Sequence, residues 1–139
     1  MNLIIIDDEP IQHFIVNRML KLYISLDLDK IKHSDNGFTI LDFLDKNKDN
    51  ADELPDIIFL DLHMPIMNGW DFLEHFEKAH KKFSKSILVY VISSSIDPNE
   101  ISQSRKYTFV KDYIIKPMTT MALKKIFEGY QPTSGKNNI

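Results

Sequence analysis

Four short apolar runs in this chain each stop on a residue able to do chemistry: Asp7 and Asp8 after Ile4-Ile5-Ile6, Asp61 after Ile57-Ile58-Phe59-Leu60, Ser93 after residues 87–92, and Lys116 after Tyr113-Ile114-Ile115. Taken singly, each is an ordinary polar end of a strand. Taken together, they are complementary. Two unit charges about 4 Å apart repel by about 4 kcal/mol at an effective dielectric of about 20, so three gathered carboxylates must repel strongly or titrate upward. A hard divalent cation resolves that conflict. Magnesium takes oxygen ligands, keeps several waters, and is held by one or two carboxylates together with phosphate oxygens. The Ser93 hydroxyl and the Lys116 ammonium add a donor and a point charge, the groups that cradle a tetrahedral oxyanion. The chemistry this set points to is a phosphoryl group bound with magnesium.

Bringing these residues to one place is the task of the elements between them. The apolar runs are short, rich in β-branched residues and without alternation, the pattern of strands buried on both faces. After Pro10, apolar residues recur at Ile11, Phe14, Ile15, Met19 and Leu22, with Gln12, His13, Asn17, Arg18 and Lys21 opposite. That period predicts a helix with proline at its start. Residues 30–34 read as a second strand, Asn36-Gly37 as a turn, and Ile40, Leu41, Phe43 and Leu44 as the stripe of a second helix. Residues 45–55 are polar and proline-ended, a loop. Trp70, Leu73, Phe76 and Ala79 stripe a third helix that buries its aromatics. Pro98-Asn99-Glu100 opens a shorter fourth, and Thr119 or Thr120 caps a fifth with Ala122, Leu123, Ile126 and Phe127 inward. Residues 131–139 are polar and predicted to be a flexible tail after a domain over 1–130.

Five alternations of strand and helix predict an α/β fold: a doubly wound, five-stranded parallel sheet with right-handed crossovers and helices on both faces. Parallel strands put all four chemical ends on one edge, where such sheets bind ligands.

Composition narrows the function classes. At 139 residues, with 43% of them apolar and 11% aromatic, the chain can bury the core of one domain. Seventeen basic against twenty acidic residues give a formal charge of -3, which predicts binding neither to nucleic acid nor to a membrane surface. The absence of cysteine excludes disulfides, thiolate metal sites and a cysteine nucleophile, and suits a cytoplasmic location. The longest apolar run, residues 87–92, is too short to cross a bilayer.

The sequence resembles the receiver domain of response regulators in two-component systems, in a single-domain form like the chemotaxis regulator. The resemblance spans about residues 2–129. It rests on Ile4-Ile5-Ile6-Asp7-Asp8-Glu9-Pro10, on Leu60-Asp61-Leu62-His63-Met64-Pro65-Ile66-Met67-Asn68-Gly69, on Val91-Ile92-Ser93-Ser94 and on Tyr113-Ile114-Ile115-Lys116-Pro117. It implies the flavodoxin-like strand order 2-1-3-4-5. It also implies that Asp61 is the phosphoacceptor, taking a phosphoryl group from a sensor histidine kinase or a phosphotransfer protein. Asp7, Asp8, Asp61 and the backbone carbonyl of His63 would hold Mg2+. Lys116, Ser93 and Ser94 would bind the phosphoryl group, and Tyr113 would be the aromatic whose pose follows it. Pro117 would follow a cis bond. The output would be the face of the fourth helix, fifth strand and fifth helix, offered to a downstream protein or to a second copy on phosphorylation.

Three features depart from the pattern. Ser93 lacks the methyl of the commoner threonine. The loop 45–55 is longer than usual. His63, two positions after Asp61, is either solvated or a neighbour of the hydrolytic water. Other histidines read as structural or solvated: His13 and His33 as surface or packing residues, His75 and His80 as part of a charged face. Two rival readings remain. A haloacid-dehalogenase-like phosphatase would carry Asp-x-Asp after the first strand, whereas Asp7 and Asp8 are adjacent and the candidate nucleophile is on the third. A degenerate receiver, binding partners without phosphate, would lack an acid, the hydroxyl or the lysine, and all are present.

Overall fold

The computed structural model describes residues 1–24 and 30–129. Its elements alternate along the chain: β1 (Asn2–Ile6), α1 (Pro10–Tyr23), β2 (Lys30–Ser34), α2 (Gly37–Lys46), β3 (Ile57–Leu60), α3 (Gly69–Ala79), β4 (Leu88–Ser93), α4 (Pro98–Ser104), β5 (Val110–Ile115) and α5 (Thr120–Gly129). The five strands form one parallel sheet in the order β2-β1-β3-β4-β5. The tail expected over 131–139 lies outside the described residues.

Strand alternation divides the interior in two. Ile4, Ile6, Ile58, Leu60, Val89 and Val91 face α2 and α3, joining Ile40, Leu44, Phe72, Leu73 and Phe76. Leu3, Ile5, Ile57, Phe59, Tyr90 and Ile92 face the other way, against Val16 and Leu20 of α1 and Leu123, Ile126 and Phe127 of α5. Because both strand faces are covered, the central strands need apolar residues at every position. That is the continuous pattern their sequences show.

Two expectations are corrected in detail. The buried residues of α1 are Val16 and Leu20, while Ile11, Phe14 and Leu22 are 57%, 61% and 60% exposed. Apolar residues occupy more than half of this helix's circumference, so periodicity leaves open which arc faces the sheet. Asn36-Gly37 is a helix start instead of a free turn: the Asn36 side chain caps α2 by accepting the Phe38 N–H at 2.8 Å. The long connection before β3 is held at its end by Asn2, whose Nδ2 donates to the carbonyls of Asp52 (2.7 Å) and Leu54 (3.0 Å).

Candidate functional site

The carboxyl edge of the sheet is fixed by backbone bonds that extend the ladders one step past the strands. Asp7 N–H donates to the Ser34 carbonyl at 3.0 Å, Asp61 N–H to Ile6 at 2.9 Å, and Lys116 N–H to Ser93 at 2.8 Å. Each candidate residue is thus the first beyond its strand, or the last of it, and is anchored to its neighbour. Loop closure behind Asp61 is equally tight. Gly69 N–H donates to the Leu62 carbonyl at 2.8 Å, and a Cβ on Gly69 would stand 2.5 Å from the Asp61 carbonyl oxygen and 2.6 Å from Leu62 Cα. Only glycine lets α3 begin so close to the strand end.

Asp7, Asp8, Glu9 and Asp61 converge, with one carboxylate oxygen from each lying within 4.8 Å of the others. Asp7 and Asp61 are buried, each 4% exposed. One ammonium serves three of the four acids: Lys116 Nζ lies 2.9 Å from Asp7 Oδ2, 3.0 Å from Glu9 Oε1 and 3.6 Å from Asp61 Oδ2. Burial works against the Lys116 charge, yet the hydrogen bonds to Asp7 and Glu9 and the charges of Asp61 and Asp7 together hold its pKa above the ordinary value. Asp61 is left short of compensation. Burial first, then repulsion from Asp7, push its carboxyl up to about 6, against the opposing pull of Lys116 and the His63 N–H. Four carboxylates facing one cation form an all-oxygen donor set with surplus negative charge, which fits a hard divalent ion.

The opposite side of the pocket is bonded throughout. Ser93 is fully buried, and its hydroxyl oxygen accepts the Ser95 N–H at 3.2 Å. The Tyr113 ring is turned inward, 7% exposed, and its hydroxyl donates to the Ser95 carbonyl at 2.8 Å. Ser94 is exposed. The Lys116-Pro117 bond is cis. The His63 side chain points outward, 53% exposed, with Nε2 at 3.3 Å from Glu100 of α4, while its backbone N–H approaches Asp61 Oδ1 at 3.4 Å.

Five residues carry more than their sequence positions suggest. Glu9 is a fourth acid in the cluster and holds Lys116; its adjacency to Asp7-Asp8 was the available signal. Ser95 joins Ser93, Tyr113 and Glu100, whose carboxyl a hydrogen bond from Ser95 above all holds below the usual range. Nothing local marks it among three consecutive serines. His13 and His33, expected as surface or packing residues, touch each other beside Asp7. His80, read as part of a charged face, stacks on Phe76 and packs against Phe109.

Among the described residues no helix is long and apolar enough to cross a membrane. Comparison with known proteins agrees with the geometry. The chain is 28% identical over 128 residues to the two-component response regulator ARR2 of Arabidopsis thaliana, covering 92% of this chain and 17% of that protein. It spans 52% of a second curated relative, the response regulator ORR1 of Oryza sativa, so it matches about half or less of these relatives' length. Its fold superposes on a two component response regulator from Cytophaga hutchinsonii with a TM-score of 0.80 at 25% identity, covering 91% of this chain and 93% of that one. The Mn(2+)-bound form of the response regulator Rcp1 superposes with a TM-score of 0.68 at 21% identity, covering 92% and 89%. The response regulator receiver domain model matches residues 3–128, and the chain belongs to that family.

Proposed function

We propose that this chain is a phosphoacceptor of two-component signalling that carries its phosphoryl group on Asp61. The observation that carries the reading is the setting of Asp61: a buried carboxylate at the end of β3, with Lys116 Nζ 3.6 Å away and three further acids around it. An Asp61 carboxylate oxygen attacks the phosphorus of a phosphohistidine on a sensor histidine kinase or phosphotransfer protein. The O–P bond forms as the P–N bond to the imidazole breaks. Asp7, Asp8, Asp61 and the His63 carbonyl would hold Mg2+, which when bound supplies positive charge to the phosphoryl oxygens. Lys116 neutralises a further oxygen with the N–H that its bonds to Asp7 and Glu9 leave over. The Ser93 hydroxyl donates to the phosphoryl group, and Ser94, exposed at the rim, offers a second donor.

Output follows from the bond that Ser93 gains. Its hydroxyl oxygen is bonded to Ser95, which also receives Tyr113, so a phosphoryl group that draws on Ser93 shifts the balance of the β4–α4 loop and of the Tyr113 ring. The face of α4, β5 and α5 then changes. Ile96, Ile115 and Met121 stand 71%, 45% and 80% exposed there, apolar side chains suited to a downstream protein or to a second copy of the chain. The domain so defined is residues 1–130, acting in the cytoplasm, with no turnover reaction beyond gain and loss of its own phosphoryl group.

A small phosphodonor with magnesium tests the reading. The expected product is one acyl phosphate per chain that decays slowly. Steady phosphate release without an accumulating phosphoprotein would mean a phosphatase, and no incorporation would mean a phosphate-independent module.

A further inference from the structure

Beside the acid cluster, and adjoining it at Asp7 and Asp8, two imidazoles from different elements meet nitrogen to nitrogen. His13 on α1 and His33 on β2 bring their Nδ1 atoms to 2.7 Å, with ring centroids 4.8 Å apart and planes at 75°. The other nitrogen of His13, Nε2, lies 2.7 Å from the Asp7 carbonyl oxygen. A carbonyl can only accept, so Nε2 carries the proton and the His13 Nδ1 lone pair is bare, aimed at His33. One proton, on His33 Nδ1, therefore fills the gap between two ring nitrogens. A ring N–H given to a backbone carbonyl is the support by which proteins fix the tautomer of a metal-binding histidine. His33 is exposed, so ions reach the pair, and the opening of about 480 Å³ in front of it is lined by Asp35 and, on the side shared with the acid cluster, by Asp7 and Asp8.

We propose that His13 and His33 form a site for a divalent transition ion of the imidazole-preferring class, Zn2+, Cu2+ or Ni2+, distinct from the magnesium pocket. The ion takes the place of the shared proton: neutral His33 changes tautomer, its hydrogen passing from Nδ1 to Nε2 by exchange with water, and binds the ion through the freed Nδ1 lone pair with no net loss of a proton. Two metal–nitrogen bonds of about 2.0–2.1 Å at a tetrahedral angle put the nitrogens about 3.3 Å apart, so the rings need separate by only about 0.6 Å. The Asp35 carboxylate or water oxygens from the opening complete the coordination. Imidazole nitrogen sets this ion apart from magnesium, which takes oxygen.

The test uses the full chain in excess magnesium, which occupies the acid cluster. Zinc binding is followed by calorimetry and by the ring nitrogen chemical shifts of the histidines, and Cu2+ by the nitrogen couplings in its paramagnetic resonance spectrum. One zinc per chain is expected, with shifts at His13 and His33 and two coupled nitrogens on copper. His33→Ala, an exposed position on an edge strand, is expected to weaken zinc binding at least about tenfold, as is His33→Phe, which preserves ring bulk. Zinc affinity unchanged in both variants, or zinc displaced completely by magnesium, would overturn the site, because the ion would then belong to the carboxylates.

Discussion

The two sides of the pocket are built on opposite principles. On the acid side, Asp7, Asp8, Glu9 and Asp61 share one ammonium, and the Asp61 carboxyl is pushed up to about 6 by burial and by Asp7. On the hydroxyl side, Ser93, Tyr113 and Glu100 are each hydrogen-bonded to Ser95. The first side holds unspent electrostatic attraction for a cation. The second responds to a ligand by shifting groups that already bond to one another. Binding free energy is therefore released on one side and used to rearrange the other, which is the division a switch requires.

The largest effect expected from this contrast is the response to metal. Magnesium at a hundred times its dissociation constant should stabilise the folded chain by about 2.7 kcal/mol and raise the melting temperature by roughly 10 °C. Thermal melts across a magnesium titration check it, and a flat response would remove the distinction between the two sides.

Next in size is the electrostatic cost of Asp61 in the metal-free protein. Its carboxyl ionises near 6 when folded and near 3.8 otherwise, so the folded state holds the proton more tightly. The penalty is absent below about pH 4, grows as pH rises to about 6, and is complete above that. Asp61→Asn should accordingly stabilise the metal-free chain by about 2 kcal/mol at pH 8, with the gain fading toward pH 4. Denaturant unfolding at several pH values measures it. A gain independent of pH would point to packing instead of charge.

The smallest effect sharpens the other side. Tyr113→Phe removes one hydrogen bond to the half-buried Ser95 carbonyl, a loss of about 1 kcal/mol. It should leave the magnesium midpoint where it was, since no acid is touched. A shifted midpoint in magnesium-titrated melts would show that the two sides are not separable.

How much of this was readable in the sequence depends on distance along the chain. The parallel sheet and its chemical edge were legible because buried strands announce themselves locally and parallelism then aligns their ends. Asp7, Asp61, Ser93 and Lys116 were found that way. The seating of α1 was not, because a helix apolar over more than half its surface gives no single arc, and the period points to Phe14 where the fold buries Val16. Glu9 was visible only as part of a motif. Its hold on Lys116, 107 positions away, depends on the fold. The same is true of Tyr113 reaching Ser95 and of His13 meeting His33, contacts made by side chains from elements that the sequence orders but does not dock.

The central claim is that Asp61 alone accepts the phosphoryl group. The direct measurement is phosphorylation with magnesium and a small phosphodonor, followed by borohydride reduction and peptide mapping, which converts an aspartyl phosphate to homoserine at its own position. Homoserine at position 61 only, and no incorporation into Asp61→Asn, is the expected result. Label on Asp7, Asp8 or a histidine, or undiminished labelling of Asp61→Asn, would contradict it.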